Sequence, residues 1–406
     1  MLHFSSSSNG LVDSARAIEA AVDDAATRAG RVPADCRLVV FHVTMGHDEE
    51  ALLGPLRRLC PDARIVGCTV GGIIGREGAN EHMHALALMM TWGDEGDVGV
   101  AVAAHLDGDG SRDASEALAR HLLDSHGPPR FVMFLGSGID IDVRQCIDGI
   151  EAVLGEGPTI FGGTSADNMK GLASYQLIDD AVHEHAAVLI GFYDPRLRVH
   201  TQASHGFTPL GVEMTVTRSS GHRVLELDGE PAWERFTRNL GLPPDATPAD
   251  TIPPGAVGVA LDPDRATEYG DSHLLRAITH QTPGGGFLMP VTCPTGTRLA
   301  LMQRDEERIF RNLDVMMGQI RDVVADDEVV AVFHADCGAR GRLTLDRVAK
   351  DEIVEAMQSP LRGPAGTPAW IGMYGFGEIA RLGGRNTFHN YTTALYVIIR
   401  GRETDA

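Results

Sequence analysis

Apolar runs and amphipathic stretches recur along the chain in one order. Arg37–Val43, Arg130–Leu135 and Glu328–His334 are apolar, strand-like runs. Each leads through a stretch of helical period to a second run, ending in GCTVGGIIG (Gly67–Gly75), FGGTSADN (Phe161–Asn168) and YGFGEIAR (Tyr374–Arg381). First run to second is 27 residues (Leu38 to Ile65), then 29 (Phe131 to Ile160), then 41 (Val329 to Trp370), a Pro/Gly-containing stretch at Ser359–Pro368 taking up much of the longest. A third strand follows each time, at Ala85–Met90, Ala187–Tyr193 and Ala394–Ile399. Helical period is clearest at Leu11–Ala29, Ala51–Leu59, Arg112–Ser125, Val143–Leu154 and Glu306–Val324. A unit repeated as helix, strand, helix, strand, strand predicts duplicated modules whose glycine-rich strand ends converge on one ligand site.

Local turn chemistry adds pairings. His84–Trp92 is expected to pair across a turn with Gly96–His105, and Ser174–Asp179 with His183–Tyr193 across Asp179–Ala181. Between Arg196 and Asp305 the pattern changes to short strands with a helix at Pro231–Leu240, a β-rich insert separating the second unit from the third. Leu242–Pro254, with five prolines, reads as a loop, and the last six residues as frayed. The expected fold is α/β: two domains of mixed sheets flanked by helices, residues 1–195 and 196–406, because one core rarely grows past about 250–300 residues.

Charge narrows the partners. With 35 basic and 56 acidic side chains the chain carries −21, which repels phosphate backbones and anionic lipid, so nucleic acid and membrane surfaces are not expected partners. No run approaches the roughly 18 apolar residues of a membrane span, and MLHFSSSSNG lacks the basic and apolar regions of a signal peptide, so a cytoplasmic location is expected. Six cysteines without a CxxC pair argue against a disulfide framework or a zinc ribbon.

Candidate chemistry gathers at the strand ends. In FHADCGARGRL, Arg340 close to Cys337 suits either an activated thiol or, if the thiol is an inert core group, an anion clamp of its own. Gly72, Asp167 and Glu378 align across the three units. The two acids are candidates for holding an amino group, with turn and cap chemistry as the other reading of Asp167, while Glu378 among apolar residues needs a partner such as Arg340. FHNYTTALYVI sets His389, Asn390, Tyr391 and Thr392 just before a buried run, where they line a cleft or satisfy backbone groups. His82/His84 and His183/His185 have the spacing that puts two imidazoles on one strand face, a weak metal signal among 17 histidines. Phosphate-loop and GxSxG signatures are absent.

GCTVGGIIG, FGGTSADN, HGFTPLG with VLELDGEPAWERF, then CGAR, GEI and HNYT, together and in this order, resemble the FIST sensory domain with its N-terminal and C-terminal parts. The resemblance spans nearly the whole chain. It implies a signal-input protein, not an enzyme, that binds a small ligand such as an amino-acid-like polar metabolite and acts through a separate partner such as a histidine kinase, cyclase or chemoreceptor. Cys337, Arg340, Glu378 and Asn390 match the C-terminal part's motifs, and Gly163, Ser165 and Asp167 those of the N-terminal part. CGAR and GCTVGG depart from the family's usual turns. Some relatives are haem proteins that sense nitric oxide, and His42, His205, His334 and His389 are the candidate axial ligands for that alternative. An enzyme with Cys337 as nucleophile and His334 or His389 as base is a further alternative.

Overall fold

A computed structural model describes residues 1–243 and 245–401; Pro244 and residues 402–406, most of the stretch expected to fray, lie outside the described residues. The first unit runs β1 (His3–Asn9), α1 (Ser14–Ala29), β2 (Leu38–Thr44), α2 (Glu49–Leu59), β3 (Arg64–Val70), a hairpin of β4 (Ile73–Gly75) and β5 (Gly78–Asn80), then β6 (Leu86–Trp92). The second repeats it with β7 (Val98–Ala103), α3 (Ser111–His126), β8 (Phe131–Gly136), α4 (Val143–Leu154), β9 (Thr159–Thr164), the hairpin β10 (Tyr175–Ile178) and β11 (Ala181–Glu184), and β12 (Ala187–Phe192). The third opens with β13 (Leu197–Ser204) and is then interrupted. The insert holds β14 (Phe207–Ser220), β15 (Arg223–Leu227), β16 (Glu230–Pro231), α5 (Ala232–Asn239), α6 (Pro248–Thr251), β17 (Ala256–Ala260), α7 (Pro263–Tyr269), β18 (His273–Arg276), β19 (His280–Thr282), β20 (Gly286–Leu288) and β21 (Arg298–Arg304). The third unit resumes with α8 (Glu306–Val324), β22 (Asp327–Cys337), α9 (Arg347–Gln358), β23 (Ala369–Gly375), the hairpin β24 (Gly377–Leu382) and β25 (Arg385–His389), and β26 (Thr393–Gly401).

Each unit builds the same four-stranded core, β1-β6-β2-β3, β7-β12-β8-β9 and β13-β26-β22-β23, and each hands its hairpin to another unit's sheet. The first hairpin extends the third sheet at β23, the second extends the first sheet at β3, and the third extends the second sheet at β9. Backbone bonds between the strand ends follow the same cycle: Gly71 N–H to Tyr374 C=O (2.9 Å), Ala166 N–H to Thr69 C=O (2.9 Å) and Phe376 N–H to Thr164 C=O (3.2 Å). The three units are therefore locked by reciprocal strand addition, which satisfies edge hydrogen bonds that each sheet would otherwise expose.

The inner faces of the three sheets share one core containing Val66, Met133, Phe161, Phe333, Ile371 and Tyr396. The outer face of each sheet is covered by its own helix pair, as with Ile18 and Leu52 in the first unit. Burial on both faces explains why β2, LVVFHVT, is buried at every position and reads as a near-continuous apolar run. The insert's sheet of eight strands has a separate core around Trp233, Phe236 and Phe287. Part of the acidic excess has a local use. Asp13, Asp48, Asp142, Asp262, Asp305 and Asp346 each cap a helix N-terminus by accepting a first-turn backbone N–H.

Two expected pairings do not form as read. β6 pairs with β1 and β2, whereas β7 joins the second sheet against β12, so the residues flanking Gly93–Asp97 diverge instead of forming a hairpin. Strand β1 supplies the partner that β6 needed. Four serines disguise it, though Ser6 Oγ accepts the Trp370 N–H at 2.7 Å inside the protein. His183–Tyr193 is two strands, since only Ala181–Glu184 turns back on β10 and β12 belongs to the next sheet.

Candidate functional site

A cleft of about 500 Å3 opens where the strand ends of the second and third units meet the insert. That volume is in the range of small-molecule sites. Its wall is built from Gly138–Ile139 beyond β8, Met169–Leu172 beyond β9, Thr247–Ala249 and Ile252 around α6, Ala277–His280 between β18 and β19, and Cys337, Ala339, Gly375, Phe376 and Tyr391. Apolar side chains (Ile139, Met169, Ile252, Ile278, Phe376, Tyr391) predominate. The two long basic or imidazole groups in the lining are Lys170 and His280, both exposed at the rim. A Cβ placed on the intervening Gly171 would be 3.8 Å from His280 Nε2, so that ring lies against the loop carrying Lys170.

The N-terminal motif residues support this wall from outside its lining. Asp167 is buried, and its carboxylate accepts the N–H groups of Lys170 (2.7 Å), Gly171 (3.1 Å) and Leu172 (2.8 Å), fixing the loop in a turn. These three bonds are the turn chemistry that was the other reading of Asp167. Ser165 Oγ accepts from Gln176 Nε2 (2.6 Å) and lies 3.2 Å from the Gly138 N–H, stitching the two loops together. At Gly138 and Gly163 a side chain has no room: a Cβ would sit 1.9 Å from the Ser165 carbonyl and 2.4 Å from the Gly377 carbonyl respectively. Gly163 is thus a packing position where β24 crosses β9.

The C-terminal motif residues divide. Cys337 does line the cleft, but burial, then the Glu378 charge, push its thiol well above the ordinary range. That environment suppresses the thiolate a nucleophile requires. Arg340 is buried and closes back on Asp336, Nε to Oδ1 2.8 Å, so the anion it clamps is internal and it is not in the cleft lining. Asn390 is also spent on structure: Oδ1 accepts the Ala277 N–H (3.1 Å) and Nδ2 donates to the Phe376 C=O (3.1 Å), bracing two lining segments against each other.

Glu378 is fully buried behind this wall, with Oε2 accepting from Thr392 Oγ1 at 2.7 Å and Oε1 without a partner. Burial raises its pKa well above the carboxylate range; the Thr392 bond opposes and Asp336 reinforces the shift. Burial thus disfavours its ionised form. Its expected equivalence with Asp167 and Gly72 is off register. Strand pairing makes Ile73, Gln176 and Glu378 equivalent, being opposite Met373, Cys68 and Gly163. Ile73 lies five residues beyond Cys68 and Glu378 five beyond Met373, whereas Gln176 lies thirteen beyond Gly163. The longer connection in the second unit is the loop that carries Asp167 and Lys170.

None of the four histidines considered for haem lies in the cleft lining. His42 Nδ1 is 3.2 Å from the Gly372 C=O, His205 Nε2 2.9 Å from the His273 C=O, His334 Nε2 2.8 Å from Thr393 Oγ1, and His389 Nδ1 3.3 Å from Tyr269 Oη. Burial lowers His42 to about 4 and His205 and His389 to about 3. These are packed interior imidazoles, and His205 and His389 flank the one Tyr269 ring. The H-x-H pairs fail as strand pairs: His82 and His84 lie in a turn, and His185 is beyond β11 with φ +51°. Among the described residues no group of three or more His, Cys, Asp or Glu is arranged to hold a metal ion, and no helix is long and apolar enough to cross a membrane.

Sequence comparison decides the family. The FIST N domain matches residues 37–230 and the FIST C domain residues 232–381. The chain belongs to the FIST family. FIST domains are generally sensory domains that bind small ligands. An uncharacterized protein of Mycobacterium tuberculosis is 22% identical over 392 residues, spanning 94% of this chain and 96% of that relative. An uncharacterized protein of Methanocaldococcus jannaschii is 32% identical over 81 residues, 20% of this chain and 16% of that one. Among solved structures, cyanuric acid hydrolase from A. caulinodans aligns over 99% of this chain and 100% of its own at 7% identity with a TM-score of 0.41, and a chorismatase over 90% and 93% at 10% identity with a TM-score of 0.33. Likeness at that level says nothing of substrate or chemistry.

The sequence motifs missed Lys170, His280, Ile278 and Ile252. One signal was available: Lys170 is one of only two lysines in the chain, and the other, Lys350, is paired with Glu81.

Proposed function

We propose that this FIST protein is a non-enzymatic sensor whose cleft takes a small molecule with an apolar body and a carboxylate end. The apolar part packs against Met169, Ile278 and Phe376, and the carboxylate meets Lys170 and His280 at the rim. The observation that carries this reading is the composition of the lining: an apolar wall with its cationic group at the mouth. An amino-acid ligand is less suited, because Asp167 bonds three backbone N–H groups and burial disfavours the charged form of Glu378. The suppressed thiolate of Cys337 supports binding over turnover.

Signal output would follow from where the cleft is built. The loop carrying Lys170 and the α6 segment belong to the second unit and the insert, so a ligand bridging them changes how the two surfaces sit together. A separate signalling partner, such as a histidine kinase, cyclase or chemoreceptor, would read that change. Titration calorimetry with phenylacetate, indole-3-acetate and hexanoate, beside their uncharged amides, tests the ligand class. Saturable binding of an acid that its amide does not match supports the reading, and equal or absent binding of both overturns it.

A further inference from the structure

A second cavity, of about 520 Å3, adjoins the segment that walls the cleft. Ala277 and Ile278 line the cleft, while Arg276 lines this second space together with Arg144, Arg265 and Arg385. Four guanidinium groups around one cavity stand out in a chain of net charge −21. Two are accounted for only in part. Arg144 is paired with Asp148 at 2.6 Å, and Arg265 has Asp262 at 3.9 Å while its Nε is buried without a partner. Arg276 is tied to carbonyls alone, NH1 donating to Leu275 (3.1 Å) and Phe388 (2.8 Å).

Like charge makes this costly. Burial, joined by Arg144 and Arg265, brings Arg276 down to about 10 against the opposing pull of Tyr269 and Cys293. The acids in the lining are Glu151 and Glu156; Glu151 Oε1 already accepts from Asn386 Nδ2 at 2.9 Å, and Glu156 is exposed. A half-buried guanidinium bonded only to carbonyls is stabilised by any anion that can reach it, and its planar fork matches carboxylate and phosphate oxygens. We propose that this cavity is a second ligand site, which takes a small dianion or trianion, a phosphate ester or a polycarboxylate, on Arg265, Arg276 and Arg385. The site does not depend on what occupies the cleft.

Calorimetric titration of the full chain with citrate and with pyrophosphate, against sodium chloride at matched ionic strength, tests it. Saturable binding of one of the two is expected, with the preferred probe telling polycarboxylate from phosphate recognition. Arg276→Met should weaken it about tenfold or more. Arg385 is exposed, so Arg385→Glu keeps the test open if the Arg276 variant does not fold, and the same loss is expected there. No saturation by either probe beyond the chloride control, or binding unchanged in Arg385→Glu and Arg265→Ala, overturns the proposal.

Discussion

Asp167 Oδ1 accepts the backbone N–H of Lys170 at 2.7 Å, and this bond sets one of the chain's two lysines on the lip of an apolar cleft. The acid shapes the site from outside its lining. Asp167→Ala should therefore reduce both stability, by about 1–3 kcal/mol for the orphaned N–H groups, and affinity for a carboxylate ligand. Asp167→Asn, which keeps an acceptor, should retain most of the stability. Urea midpoints and calorimetry on the two variants check this; an alanine variant with full stability and affinity would contradict the turn's role.

Arg340 makes a different prediction from the one its motif suggests. Its guanidinium and Asp336 are both buried and paired, so Arg340→Ala strands a carboxylate and should cost about 3–5 kcal/mol. Because Arg340 is outside the lining, ligand affinity of the folded protein should stay the same. Lost affinity at unchanged stability would return Arg340 to the binding site.

All six cysteines are free and buried. The raised Cys337 thiol should resist a thiol reagent at pH 8 in the native state, with six equivalents reacting once urea is added. Rapid native labelling of Cys337, read by mass spectrometry, would instead favour a thiol enzyme.

Buried histidines give the stability a pH dependence. The unfolded chain protonates His42, His205 and His389 near pH 6.5, while the folded chain does so only near 4, 3 and 3 respectively. Their contribution is therefore complete above pH 6.5 and is lost as pH falls toward 4, at about 1.4 kcal/mol per pH unit for each proton. Glu378, raised well above its usual value, and Asp271, raised to about 6, oppose this because their folded forms hold a proton that the unfolded chain has released. His47, His200 and His273 are lowered by burial as well, so the balance is a net loss on acidification. Urea midpoints falling between pH 6.5 and 4.5 are expected, and a rise over that window would be inconsistent.

The sequence made the repeat and the helices legible because both are local patterns. Glu306–Val324 is helical over the residues its period marks, with Asp305 as its cap. Hairpin exchange was not legible, since nothing in Ile73–Asn80 says that its partner is β23, some three hundred residues away. The register of Glu378 was lost for a related reason: the longer connection before Gln176 lets Asp167 align by position while strand pairing aligns Gln176. The motif residues proved to be the scaffold of the cleft. Asn390 bonding Ala277 and Phe376 is the clearest case, for it joins two segments whose neighbours do the lining. Lining residues drawn from segments between Gly138 and Tyr391 share no sequence signal, because only the fold assembles them.

The most direct test of the sensor reading is the affinity of phenylacetate, indole-3-acetate and hexanoate, measured by calorimetry on the unmodified chain and on Lys170→Glu. Lys170 is exposed at the rim, so the substitution should leave folding intact. The account predicts saturable binding of at least one acid that falls about tenfold or more in Lys170→Glu. Binding of the same acid with equal affinity by both proteins would contradict it.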